Sequence, residues 1–341
     1  MEFWPRSSFW QDKTAMARHE HNNDEEDLVG AFSRAYFDAL VVGIQRAHAI
    51  LPSMTGPAEM VAKLLVEGGD CFIASVRPDF MSEGTTRSGG FMFLKEYEPA
   101  VKLSERDAVI VAWTNISSAE DLDLITQLHA SGAFIIGIGP APSVDSAKAF
   151  LAMTSTFIDA SLPLPATVTA PFKDETYPVV SLQNLALLWT FSGEVVSALT
   201  RLDHMPTMYQ SVHVPGASQR NTRFKGMRFH EKGTVSPVAP TSLGKSYLQE
   251  LANSFQSLRD HESGVIAEVS RVAAKTLRDG HNVHAFLVQH FPIHQHGAPG
   301  DPVLIQRIER SAGETPSTSQ LESISRLYME ADEFVLGSGT E

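Results

Sequence analysis

The sequence predicts an α/β fold: a doubly wound parallel sheet with flanking helices, followed by a second, incomplete α/β repeat. Three observations predict it. Short runs that are apolar almost throughout, Asp70–Val76, Ala108–Ala112 and Ala133–Ile138, suit strands buried on both faces, as in a parallel sheet. Between such runs lie stretches whose apolar residues recur at helical spacing. The first two runs end in hydroxyl-rich loops, at the carboxyl ends of strands where open α/β sheets hold their ligands.

Taken in order, residues 1 to 26 are polar and aperiodic and read as a mobile tail, with Trp4 and Trp10 as candidate anchors. Leu28, Phe32, Tyr36, Leu40, Ile44, Ala47 and Leu51 mark a helix stopped by Pro52. A shorter helix, Ala58–Val66, ends at Gly68 and Gly69 before the strand Asp70–Val76, and Arg77–Gly90 follows as a loop rich in Ser, Thr and Gly. After Ala108–Ala112, residues Asn115 to Ser118 offer helix caps, Glu120 and Asp121 suit the first turn, and Leu122, Ile125 and Leu128 repeat at helical spacing. Gly132 ends that helix and Ala133–Ile138 completes a right-handed βαβ unit. A helix over Asp145–Met153, a strand at Thr156–Asp159, an irregular stretch over 160–178 and a helix over Tyr177–Thr200 close the first domain, residues 27–202.

Residues 203–243 read as an irregular linker. Their basic cluster, Arg220, Arg223, Lys225, Arg228 and Lys232, is either a solvated surface or an anion site built on guanidinium groups. From 244 the pattern begins again: a helix marked by Tyr247, Leu251, Phe255 and Leu258, a break at His261–Gly264, a helix over Val265–Leu277, a turn at Gly280 and a strand over Asn282–Val288. Residues 61–73 align with 273–285 without a gap, pairing Ala62 with Ala274, Lys63 with Lys275, Leu65 with Leu277 and Gly68 with Gly280. The second copy, 244–341, ends soon after a short strand at Glu333–Leu336, so it is incomplete or is completed by the first copy or another subunit.

Composition narrows the function. Twenty-seven Lys and Arg stand against 40 Asp and Glu, a net charge of −13 in 341 residues, which argues against nucleic acid or an anionic membrane as partner. Hydrophobic content of 43% and a mean hydropathy of −0.09 fit a globular protein. No apolar run reaches the roughly 18 residues of a membrane span and the first residues lack a basic-then-apolar leader, so a cytoplasmic location is expected. Cys71 is the only cysteine and reads as a buried structural thiol.

Three passages together resemble the sugar isomerase (SIS) domain, and within it the uncharacterised phosphoheptose-isomerase-like branch. They are the helix, Gly-Gly and strand over Ala58–Val76; the strand, hydroxyl loop, helix and strand over Asp107–Pro142; and Leu182–Gly216, with Asn184-Leu-Ala-Leu-Leu and then Pro206, Ser211 and Gly216. The resemblance implies a phosphorylated sugar as ligand, pairing into a homo-oligomer, and a phosphate loop at Thr114, Asn115, Ser117 and Ser118, with Ser75, Thr85, Thr86 and Ser88 lining the same pocket. Two departures stand out: Arg77 and Pro78 replace a glycine-rich turn, and the phosphate loop keeps its hydroxyls without its glycine. Hydroxyls ahead of a helix N-terminus still suit an oxyanion.

Aldose–ketose isomerisation needs a base, and a group to open the ring; Glu83 and His294 are the candidates. The alternatives are a non-catalytic sugar-phosphate-binding or regulatory module, and a metal-dependent enzyme centred on His290, His294 and His296, since imidazoles at such spacing suit zinc or nickel. The sequence holds no nucleophile elbow, P-loop or dinucleotide fingerprint, so no cofactor is expected, and no metal site is assigned.

Overall fold

The computed structural model describes residues 23–76, 78–87, 89–113, 119–141, 148, 150–162, 167–169, 176–212, 214–231, 235–286 and 305–308. Five parallel strands form the central sheet: β1 (Cys71–Ala74), β2 (Lys95–Glu96), β3 (Ala108–Ala112), β4 (Phe134–Gly139) and β5 (Thr156–Asp159). Their order is β2-β1-β3-β4-β5. β1 and β3 are buried along their whole length, as wholly apolar strands covered on both sides must be.

Period-two alternation divides the sheet into two cores. Cys71, Ile73, Ala108, Ile110, Ile136 and Ile158 face one cluster, while Phe72, Val109, Val111 and Ile135 face the other. Register carries this across strands, with Ile73 opposite Ile110 and Ile110 opposite Ile136. The first cluster is covered by α2 (Thr55–Val66), α3 (Pro78–Thr86) and α5 (Val180–Arg201), together with the end of α1 (Asn23–Ile50). The second is covered by α4 (Ala119–Ala130) through Ile125 and Leu128. Helices on both faces make the sheet doubly wound.

Several sequence expectations shift. The loop expected over Arg77–Gly90 is largely the helix α3. Pro78 takes its first position, where a fixed φ and a missing N–H are tolerated, and Phe80 is buried. A Cβ on Gly84 would stand 2.5 Å from Ile73 Cδ1, so this glycine lets α3 lie directly on the sheet. On α4, Leu122 is 45% exposed; the buried stripe runs through Leu124, Ile125 and Leu128 instead. The stretch expected to be irregular contains an antiparallel pair, β6 (Thr167–Thr169) and β7 (Thr176–Pro178). Tyr177 belongs to it, opposite Val168, and α5 starts after Pro178, because the residue before a proline is pushed out of helical geometry. Of the helix expected over Asp145–Met153, the described residues 148, 150 and 151 are helical, while 152 and 153 form a turn.

Beyond α5 the chain returns to the first core. Met92 N–H donates to Thr207 O at 3.0 Å, and Tyr209 N–H to Gly90 O at 2.9 Å, so the expected linker is bonded alongside the α3–β2 connection. It includes a helix, α6 (Ala217–Phe224). Arg228 of the basic cluster donates to Leu65 O at 2.9 Å and to the Asp70 carboxylate at 2.8 Å, where Lys95 also binds. Arg228 is therefore a tie to the foot of β1.

α7 (Ser242–His261) packs against α5, with Leu248 fully buried in the same core as Ile73 and Phe191. Its N-terminus is held by Glu194, a carboxylate 1% exposed that accepts from Thr241 N–H at 2.7 Å and Gly244 N–H at 3.2 Å. Free helix N–H groups and the dipole make this a favourable seat for a buried anion. A Cβ on Gly244 would meet Leu51 Cδ1 at 2.6 Å, so glycine is required for the approach. α8 (Ser263–Arg278) follows and has no fully buried residue, and β8 (Val283–Phe286) pairs in parallel with β9 (Ile305–Ile308) in a separate two-stranded sheet.

Candidate functional site

In the order β2-β1-β3-β4-β5, the chain steps outward from β1 to β2 and then crosses back to β3. The connections from β1 and β3 therefore leave in opposite directions, which opens a crevice at the carboxyl ends of these two strands. Ser75 stands there: its hydroxyl donates across the strand pair to Ala112 O at 3.2 Å. α3 begins shortly after Ser75 and α4 shortly after Trp113, so two helix N-termini flank the crevice. Free backbone donors and a positive dipole end at that position favour an anionic group.

The last described residue of the β3 exit is Trp113, and it is fixed from three sides. Its N–H donates to Ile138 O at 3.1 Å, its carbonyl accepts from Asn184 Nδ2 at 2.8 Å, and its indole Nε1 donates to Pro140 O at 3.2 Å. The ring stacks on Phe157 at 5.6 Å and meets Phe150 edge-on at 4.8 Å. It lies flat over β4 because β4 offers glycines there: a Cβ would come within 2.7 Å of the ring at Gly137 and 2.3 Å at Gly139. The side chain of Trp113 is thus a packing element, and the chain leaves it in a set direction.

Asn184 on α5 is the residue that sequence reasoning passed over. It is 2% exposed, and its Oδ1 is buried with no hydrogen-bond partner among the described residues. The available signal was a polar pair, Gln183 and Asn184, inside the apolar run from Leu182 to Leu188. Gln183 explains itself structurally, since its Nε2 donates to Gly43 O at 2.9 Å and ties α5 to α1.

At the far rim, Asp159 at the end of β5 pairs with Arg46 of α1 and accepts from Ser161 N–H at 2.8 Å and Ala141 N–H at 3.3 Å. Burial pushes the Asp159 carboxyl up, but the bonds from Ser161 and Arg46 outweigh it and leave the group below the usual carboxylate range. It is a fixed anion that pins the β4 and β5 exits together.

The other expected site residues divide. Glu83, on α3, is gripped by Arg87, whose Nε donates at 2.9 Å and whose second donor reaches the other oxygen at 2.6 Å. That bond raises the Arg87 guanidinium further. Thr85 turns to β2, with its hydroxyl 2.7 Å from Glu96 and 2.9 Å from Met81 O. Ser75 is thus at the crevice, whereas Glu83 and Thr85 are engaged within α3 and its edge-strand contact. Thr86 ends α3. Ser88, Thr114, Asn115, Ser117, Ser118, His290, His294 and His296 lie outside the described residues. Among the described residues no group of three His, Cys, Asp or Glu is placed to hold a metal, and no helix is long and apolar enough to cross a membrane. The Cys71 thiol is buried and pushed up to about 12, chiefly by desolvation, so it is no nucleophile.

No protein-family model matches the chain, and no curated protein does. Among solved structures it is similar to a candidate sugar-phosphate isomerase of Listeria monocytogenes, at 16% identity over 47% of this chain and 84% of that one, with a TM-score of 0.31. It is also similar to a candidate sugar-binding protein of Salmonella typhimurium, at 12% identity over 87% and 85% with a TM-score of 0.41. A third is the C-terminal domain of glucosamine-fructose-6-phosphate aminotransferase from Francisella tularensis, at 8% identity over 78% and 69% with a TM-score of 0.37. At TM-scores this low the functional reading rests on the chain's own sheet order and side chains.

Proposed function

We propose that this protein is a sugar-phosphate-binding domain of the SIS kind, holding its ligand at the carboxyl ends of β1 and β3. The observation that carries this is the crevice at the strand-order reversal, bridged by Ser75; in sequence, the hydroxyl-rich stretch Thr114, Asn115, Ser117 and Ser118 falls between β3 and α4, which supports an oxyanion site. A phosphate fits hydroxyls and free helix N–H groups there.

Binding, more than isomerisation, is the favoured activity, because Glu83 is committed to a two-point ion pair with Arg87. A base held this way is poorly placed to collect a substrate proton. As a sensor or regulatory domain the protein would need only the bound state. The homo-oligomer and the cytoplasmic location belong to the same proposal, and light scattering of the purified chain checks the former.

Thermal unfolding in the presence of a panel of sugar phosphates tests the reading. At least one should raise the melting temperature, and Thr114→Val combined with Ser117→Ala should remove the effect without changing the unliganded transition. A panel without effect, combined with stabilisation by zinc or nickel, would shift the assignment to the histidine segment. For catalysis, wild-type protein in heavy water should leave the ligand's C2 proton unexchanged; exchange abolished by Glu83→Gln would restore the isomerase.

A further inference from the structure

Asn184 presents a buried polar atom for which the fold supplies no use. Its amide nitrogen is spent on Trp113 O at 2.8 Å. Exchanging the amide's two ends would set its oxygen against that carbonyl oxygen, so the donor's direction is settled by its partner. The oxygen that remains, Oδ1, has no donor among the described residues. A buried acceptor left unpaired loses its hydration without a replacement, and such exceptions in a native core call for a function. The other buried polar side chains of α5 mostly have explanations: Gln183 binds Gly43 O, Glu194 caps α7, and Thr190 and Ser192 bond back to the helix.

Position gives the atom its meaning. Asn184 meets β3 at its exit, beside the Ala112 carbonyl to which Ser75 donates. The neighbouring carbonyls of Ala112 and Trp113 are thus each taken by a side chain, while among the described residues the Asn184 amide oxygen beside them has no donor. A neutral amide oxygen repels an anion and accepts from a hydroxyl. We infer that Asn184 Oδ1 is a hydroxyl-recognition point of the crevice, accepting an O–H of the ligand's polyol part while the phosphate is held elsewhere. This rests on the proposed sugar-phosphate reading and narrows it: the ligand carries a free hydroxyl that reaches the β3 exit.

A cycle of titration calorimetry tests it on the full chain. The probes are inorganic phosphate, glucose 6-phosphate and fructose 6-phosphate with their monodeoxy analogues, against wild type, Asn184→Leu and Asn184→Ala, the last guarding against a leucine that misfolds. The substitution should weaken the preferred sugar phosphate about tenfold, the worth of one hydrogen bond, and change inorganic phosphate less than twofold. One deoxy analogue should bind wild type and variant alike, because its missing hydroxyl is the one Oδ1 accepts. If the variants weaken every probe by one common factor, or none, the hydroxyl role is overturned while the sugar-phosphate reading stands. If wild type binds none of the probes, both fall together.

Discussion

Gly68 and Gly280 end their helices in the same way and introduce different structures. Both adopt the left-handed conformation, at φ +91° and +84°, and the residues before them close the helix on equivalent carbonyls, Lys63 and Leu65 in one case and Lys275 and Leu277 in the other. After Gly68 comes β1, buried throughout and paired on both sides; after Gly280 comes β8, paired with β9 in a two-stranded sheet. α2 buries Ala58, Val61, Ala62 and Leu65, whereas α8 buries no residue fully. A turn is decided by a few residues of local chemistry and can recur at will. A domain is decided by what the turn delivers into a core, and among the described residues the first delivery is to one.

The contrast can be broken first at Gly69. A Cβ there would lie 1.8 Å from Arg106 O, so Gly69→Ala must displace backbone at the foot of the sheet and should cost about 3 kcal/mol or more in urea unfolding. Next comes the joint between the halves. Glu194→Ala strips the buried acceptor from Thr241 and Gly244 and should cost about 2 kcal/mol, with faster hydrogen exchange at those two amides; Glu194→Gln, which keeps an oxygen, should recover part of it.

A matched pair sharpens the comparison further. Gly68→Ala and Gly280→Ala introduce the same left-handed strain of about 1 kcal/mol. Only the first should lower the main unfolding midpoint; the second should speed exchange locally around β8. Equal shifts of the main transition would merge the two regions into one cooperative unit.

The smallest effect is confined to alkali. Burial pushes the Tyr247 hydroxyl up to about 12 from its ordinary 10.0. The folded protein thus keeps a proton that the unfolded chain releases, so stability is unaffected below pH 10 and falls as pH rises from 10 towards 12. Absorbance near 295 nm should show Tyr247 ionising late, alongside Tyr36, which burial also raises, together with the loss of stability.

The strands and the amphipathic helices were readable because burial on two faces leaves a wholly apolar run, and β1, β3 and β4 each carry one. The helix α3 was hidden by Ser, Thr and Gly, residues that normally signal a loop. What makes it helical is tertiary: Gly84 lies against Ile73 and Phe80 joins the same core. The same holds for α7, whose attachment depends on Glu194 nearly fifty positions earlier, a partner that no local pattern names. The position of Ser75 at the end of β1 is legible because a strand's end can be located from composition. Asn184 was missed because its role comes from what it meets across the core, the carbonyl of Trp113.

Trp113 carries one more consequence. The bulk at the end of β3 and the absence of side chains at Gly137 and Gly139 are two halves of one choice, since the indole occupies the space that their Cβ atoms would fill. Among relatives of this chain the three positions should therefore vary in concert: a small residue at 113 should release the neighbouring strand from glycine, and glycines at 137 and 139 should accompany a large ring at 113. The shape of the strand exit is in this sense inherited as a set, and Trp113→Ala should make Gly139→Ala tolerable where it is ruinous alone.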